Sequence, residues 1–485
     1  MTPLLKLFFV ISYILLAAWV GLFADLMPKG HVMFITNAVK VGGCLLMLFG
    51  SHPLISYAVV GIGAAAYPPA KYGILTELLP AEKLVIANGW IEGLTVVSII
   101  LGVVLGGVLV HPDVADTLMR GFHLEFFGVT NHAEAAIAMI VFIYAAAAAV
   151  MGVTLSSFAG LIYIMIKGRG KTAVRRRREI DRELLRTAVP MAAGALVINL
   201  TSLIDLVTIM RSLKTVIAKT PWVFSHLLGS GISYNDMPNF IYGSFTGLAV
   251  TLFNLIPSLT NMLGKSMLPA ASAAKAAGDD KRLGECSAGV IFAAAVISVP
   301  AGPGISVLAE EILTLLFSGR TVEIAVCADA MRVLGLAVPF VCISSAAFSV
   351  LQAADRADIP VKLMGIGAAV KLAGNLILTS VPGLNVTGAA IATLICYIVI
   401  CVMSLWALAS HGGLRLRRTM GICAKIFAAG ALCAAGAFIT AKQLPAGSHI
   451  MIKTAVSCLT GAIIYILSTY FSGVITKSTL KMLIS

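Results

Sequence analysis

The chain has 485 residues, of which 59% are hydrophobic and only 12% charged, with a formal net charge of +13 and a mean hydropathy of +0.98. That is far more apolar surface than one water-soluble core can hide. The apolar runs are continuous rather than alternating, which excludes a transmembrane β-barrel.

The expectation is an all-α polytopic membrane protein, because runs of about 20 apolar residues recur and each can cross a ~30 Å hydrocarbon core. No basic stretch followed by a short apolar core and a small-residue cleavage site opens the chain, so no cleavable signal peptide is expected. The first spans read as Leu4–Ala24, Val32–Gly50, Pro53–Ala66 and Gly89–Val110. A polar loop, His111–His132, then precedes the run Ala133–Ile166. Wholly helical, that run would extend roughly 51 Å at ~1.5 Å per residue. It is read as one crossing that continues into the cytoplasm or bends near Gly152.

The densest charge of the chain follows, at Lys167–Arg186, with the arginine tetrad Arg175–Arg178. Such a run can bind nucleic acid, but between apolar blocks it reads as a loop held on the cytoplasmic side of a membrane. No nucleic-acid partner is expected. Beyond it come Thr187–Met210, Phe240–Leu263, Gly289–Leu308, Ala328–Ala353, Val361–Val381, Thr387–Ala409, Ile422–Ala441 and Ile450–Ser472, about thirteen spans in all. Basic clusters recur at every second loop: Lys265–Arg282, Asp355–Lys362, Arg415–Lys425, and Lys477 with Lys481. The loops between them, such as Lys214–Asn239, are poorer in cations. This alternation predicts an outer N-terminus and a cytoplasmic C-terminus. The nine cysteines lie mostly inside apolar runs and form no C-x-x-C pair, so they read as small hydrophobes without a metal or disulfide.

Gly21-Leu-Phe-Ala-Asp25-Leu-Met-Pro-Lys29 resembles the loop motif of major facilitator transporters. Ala65-Ala-Tyr-Pro-Pro-Ala-Lys-Tyr-Gly-Ile-Leu-Thr-Glu-Leu-Leu-Pro80, with Ala87-Asn-Gly-Trp-Ile-Glu92, is similar to their lysophospholipid transporter branch over about residues 1–147. That branch implies a helix ahead of Leu4 and a second half, neither of which this chain shows. The remainder resembles the MOP flippases, in particular the stage V sporulation protein B group that exports lipid-linked polysaccharide and lipid II. Its marks are Ala188-Val-Pro190, Leu203-Ile-Asp205, Arg211, Asn254-Leu-Ile-Pro-Ser-Leu-Thr260 and Leu268-Pro-Ala-Ala-Ser272. Leu351-Gln352, Ile359-Pro-Val-Lys362 and Val381-Pro-Gly-Leu-Asn-Val-Thr-Gly-Ala-Ala390 follow in order. The chain therefore divides into major-facilitator-like helices at 1–150, a long helix end with the basic loop at 151–186, and an eight-helix flippase-like part at 187–485. A MOP-flippase-like bundle is expected to fill the C-terminal two-thirds.

Neither resemblance implies bond chemistry, and the chain carries no G-x-S-x-G, Walker A or H-E-x-x-H sequence, so no catalytic residue, metal or cofactor is expected. A coupling ion stays open. Candidate residues are polar groups within spans, because these are costly in hydrocarbon and by default line a cavity. Asp205 and Arg211 share one span, six residues apart and on different faces. Arg211 can instead snorkel at a helix end. Asn254, Asn261 and Lys265 share a helix face that would suit a pyrophosphate headgroup, or else serve helix-to-helix hydrogen bonds and an interface anchor. Lys371 and Asn375 form an i, i+4 pair in mid-span, with Asp205 as the expected resting partner of the lysine. In the first part, Asp25 and Lys29 are expected at a gate or interhelix contact. Lys71, Glu77 and Glu92 are expected along a lipid path, with an exposed loop pair as the alternative for Lys71 and Glu77.

Together these readings imply a multi-pass protein of the cytoplasmic membrane whose partners are membrane lipids and a lipid-linked substrate. The expected function is a flippase for a lipid-linked oligosaccharide or lipid II-like cell-wall precursor. The alternatives are a lysophospholipid transporter of the major facilitator type and a non-transporting membrane scaffold.

Overall fold

The computed structural model describes residues 29–48, 51–78, 201, 204–224, 227, 229, 232–317, 319–445 and 449–474. These form two compact units, Met1–Leu200 and Thr201–Ser485. The basic run Lys167–Arg186, the long run Ala133–Ile166 and the spans expected at Leu4–Ala24 and Gly89–Val110 lie outside the described residues.

In the first unit, α1 (Lys29–Leu48) and α2 (Pro53–Leu78) pack against each other. The expected span Pro53–Ala66 is too short. The helix runs on through Pro68 and Pro69 to Leu78, so Lys71 and Glu77 sit on helix rather than in a loop. Proline interrupts the backbone ladder, and membrane helices tolerate the freed carbonyls because neighbours can satisfy them.

In the second unit, α3 occupies 204–219 and a short 3-10 turn follows at Pro221–Phe224. Then α4 (Met237–Ser244) passes through one π-helical turn, Phe245–Ala249, into α5 (Val250–Ala276). The remaining helices are α6 (Asp280–Val307), α7 (Ala309–Leu316), α8 (Thr321–Ala353), α9 (Asp358–Leu378), α10 (Asn385–His411), α11 (Leu416–Gln443) and α12 (Ile450–Phe471). Every described element is helical, and seven helices among the described residues are long and apolar enough to cross a membrane. One correction concerns the loop expected at Lys214–Asn239. Its first residues continue α3, since Arg211, Lys214 and Lys219 are good helix formers, and the turn beyond is tied back by Tyr234 Oη donating to Ile217 O at 2.8 Å.

The bundle is organised around α8, which packs against α5, α6, α7, α9 and α10. Its small residues make this possible. At the α6–α8 crossing, a Cβ on Gly335 would lie 2.8 Å from Gly302 O and 2.7 Å from Ser306 N. The two backbones touch there, as small residues permit between membrane helices. Large apolar side chains instead point outward on the peripheral helices, among them Ile377 on α9 and Leu459, Ile463 and Phe471 on α12. Exposed apolar faces of that extent belong against lipid.

The connections separate by end. Lys275 and Asp280 (α5–α6), Asp355 and Arg356 (α8–α9), and His411 and Gly413 (α10–α11) line one shared cavity of about 510 Å³. These are the connections that carry the basic clusters expected on the cytoplasmic side. Lys425, nine residues into α11, donates to Ser472 O just beyond α12 at 3.1 Å. At the opposite end, Arg332 of α8 reaches Glu310 of α7 at 3.3 Å and Lys453 of α12 reaches Glu311 at 3.2 Å.

Candidate functional site

The site begins on α9. Lys371 and Asn375 lie one turn apart on one helix face, and both are buried, the lysine 8% exposed and the asparagine 0%. Small residues bring α10 close to this face. A Cβ on Gly374 would lie 2.8 Å from Ala392 Cβ, and one on Gly367 would lie 2.8 Å from Ile400 Cγ1. Cys396 Sγ also donates to Gly367 O at 3.2 Å. The Lys371 side chain reaches across to α3.

There it meets Asp205. Lys371 Nζ donates to Asp205 Oδ2 at 2.6 Å, and Asn375 Nδ2 donates to Asp205 Oδ1 at 2.8 Å. The same amide nitrogen lies 3.1 Å from Thr208 Oγ1, whose hydroxyl donates to Ile204 O at 2.5 Å. Both carboxylate oxygens are thus held by donors from α9, and the two charges cancel. This is what makes a charged pair tolerable inside a span. Tyr242 of α4 neighbours Asp205, and Tyr397 of α10 neighbours Lys371. The Tyr397 ring packs 6.3 Å from that of Phe253 on α5. Asn375 Oδ1 is buried and has no hydrogen-bond partner among the described residues.

Of the other candidates, Arg211, Asn254 and Asn261 do not join this cluster. Arg211 is exposed and lies well inside α3, eight residues before its end, so it does not mark a helix terminus. Asn254 is exposed on α5. Asn261, also exposed, accepts a hydrogen bond from Ser345 Oγ of α8, a helix-to-helix contact. The Lys265 side chain lies outside the described set, as do those of Lys29, Lys71 and Glu77. Asp25 and Glu92 lie outside the described residues altogether.

One buried cation escaped the sequence reading. Lys40, in the middle of α1 and 7% exposed, donates to Asn37 Oδ1 at 3.2 Å and stands 4.0 Å from the Tyr67 ring centroid. The signal was present as a lysine inside an apolar run, Thr36-Asn-Ala-Val-Lys40-Val. Among the described residues no group of His, Cys, Asp or Glu is arranged to hold a metal ion.

Comparison with known proteins finds two kinds of similarity. The family model described as "Lipid II flippase MurJ" matches residues 72–457, most of the chain. Among curated proteins, the lysophospholipid transporter LplT of Yersinia enterocolitica is 52% identical over 107 residues, covering 22% of this chain and 26% of that protein. LplT of Serratia proteamaculans is 47% identical over 116 residues, covering 24% and 29%. The chain spans about a quarter of the length of these relatives. Among solved structures, the lipid II flippase MurJ in an inward closed conformation has a TM-score of 0.49 at 12% identity, covering 96% of this chain and 89% of that one. An outward-facing multidrug resistance MATE transporter of the MOP superfamily has a TM-score of 0.48 at 14% identity, with 87% and 86% covered.

Proposed function

We propose, from the premise that this chain belongs to the lipid II flippase MurJ family, that it carries a lipid-linked oligosaccharide diphosphate across the cytoplasmic membrane by alternating access. The observation that supports this reading is the buried Lys371–Asp205–Asn375 cluster. A mid-span ammonium is the group an anionic headgroup needs in order to leave water, and such a group inside a membrane is by default functional. At rest Asp205 neutralises it. On loading, a phosphate oxygen takes a proton-bearing face of Lys371 Nζ, while Asn375 orients the carboxylate. Arg211, Asn254, Asn261 and Lys265 are assigned to the polar path that leads the headgroup in and out. In the first unit, Asp25, Lys29, Lys71, Glu77 and Glu92 are assigned to a gate or lipid path. The transport step makes and breaks no covalent bond, so no cofactor is assigned, and the protein acts as a carrier rather than an enzyme.

A second reading rests on the segment 52% identical to a lysophospholipid transporter: lysophospholipid as the cargo. Both cargoes present a phosphate to the membrane interior, so flipping assays separate them. Purified protein is reconstituted into liposomes holding either a fluorescent prenyl-diphosphate oligosaccharide or a fluorescent lysophospholipid. Scrambling of the first, lost in Lys371→Met, is expected. Movement of the lysolipid alone would move the function to the first unit's lineage, and movement of neither would leave a membrane scaffold.

A further inference from the structure

We infer that Asp205 is a proton-binding site linked to anion binding, so that a phosphate bound at Lys371 brings one proton onto the Asp205 carboxylate. The inference rests on the reading of Lys371 as the headgroup contact and names the co-ligand of that same site.

The argument is one of charge. At rest one ammonium faces one carboxylate, 2.6 Å apart, in a setting where Lys371 is buried and the Asp205 side chain is 19% exposed. A phosphate arriving at Lys371 makes two anions share one cation. Like charges at such separation do not both stay ionised in a desolvated site. A phosphate diester is a far stronger acid than a carboxylic acid, so the proton settles on Asp205. Among the described residues the other titratable groups around the pair are Tyr242 of α4 and Tyr397 and Cys396 of α10, which are neutral hydroxyls and a thiol and cannot supply a second positive charge.

Asn375 provides the second observation. Its Nδ2 donates to Asp205 Oδ1 while its Oδ1 is buried and idle. A carboxylate needs a donor there; a carboxylic acid needs an acceptor. Rotating the amide half a turn presents Oδ1 to the Asp205 O–H, so one side chain serves both protonation states without moving the helix. The balance is simple. One proton from water binds a carboxylate oxygen as Lys371 passes from Asp205 to phosphate. The same proton returns to water when the phosphate leaves and the ion pair re-forms. Lys371 keeps its proton throughout.

The test is calorimetric titration of the purified full-length protein with a short-chain prenyl diphosphate sugar, in two buffers of different ionisation enthalpy. Each phosphorus of that probe carries one ester and the shared anhydride oxygen, which leaves one strongly acidic hydroxyl apiece, so the probe takes up no proton itself. The parent protein is expected to take up about one proton per probe bound. Lys371→Arg should bind with the same uptake, and Lys371→Arg combined with Asp205→Asn should bind with none. Infrared difference spectra on adding probe should show a new protonated-carboxyl band in the parent, absent from Asp205→Asn. Binding that needs Lys371 but carries no proton uptake and no carboxyl band overturns the proton site and leaves the headgroup contact standing. Unchanged binding by Lys371→Met overturns the headgroup contact itself.

Discussion

Lys371 and Asp205 lie 166 positions apart in sequence and 2.6 Å apart in space. The contact ties α9 to α3 within the second unit by a charge pair that neither helix could keep in an apolar setting alone. It is also the point from which the energetics of the site can be measured.

Removing one member should be more harmful than removing both. Lys371→Met leaves a largely buried carboxylate without its cation, which costs about 3–5 kcal/mol. Adding Asp205→Asn to Lys371→Met removes the stranded charge and should recover most of that loss. Thermal unfolding in detergent of the two singles and the double reads this directly; a double variant less stable than Lys371→Met would contradict it.

Asn375 should matter for stability and for transport together. Asn375→Ala strips Asp205 Oδ1 and Thr208 Oγ1 of a shared donor, a loss on the order of 1–3 kcal/mol. Flipping per inserted molecule should fall as well, because the carboxylate is no longer oriented toward Lys371. Unchanged unfolding temperature and turnover would show that the amide is a bystander.

The α6–α8 crossing leaves no space for side chains. Gly335→Val would drive carbon into Gly302 O and the backbone of Ser306. Rigid backbone cannot yield as a side-chain tip can, so the helices must part. The expected result is a sharply reduced monodisperse yield on detergent chromatography, while Gly365→Val, on α9 with nothing within 4 Å of its Cβ, should leave the yield near that of the parent.

Sidedness can be read by labelling. Ser410 lines the cavity at the basic end of the bundle and Glu310 stands exposed at the other. Ser410→Cys should react with a membrane-impermeant maleimide only after the cells are opened, and Glu310→Cys in intact cells. Reversed labelling would invert the orientation inferred from the basic loops.

Much of this was legible in the letters because hydrocarbon is a stringent solvent. Unbroken apolar runs such as Thr387–Ala409 allow little but a helix, and cations gathered at Lys265–Arg282 and Arg415–Lys425 mark one side of it. Helix ends were less legible. The runs Pro53–Ala66 and Ala328–Ala353 end where hydropathy falls, whereas the helices continue to Leu78 and begin at Thr321. Backbone hydrogen bonding does not stop at the edge of the apolar stretch.

The sequence by itself determined that Lys371 and Asn375 share a face, since i, i+4 spacing on a helix is a local matter, and that a lysine so placed needs a counter-charge. Asp205 was already the expected counter-charge, on sign and on its place within a span; that the two meet, and which other groups join them, was decided by tertiary structure. Lys371 and Asn375 of α9 both reach Asp205 of α3, and Asn375 also reaches Thr208. Asn261, for which a headgroup contact and a helix-to-helix bond were both open, accepts from Ser345 of α8. Periodicity assigns a residue to a face of its own helix; only the packing of the other helices decides what that face meets.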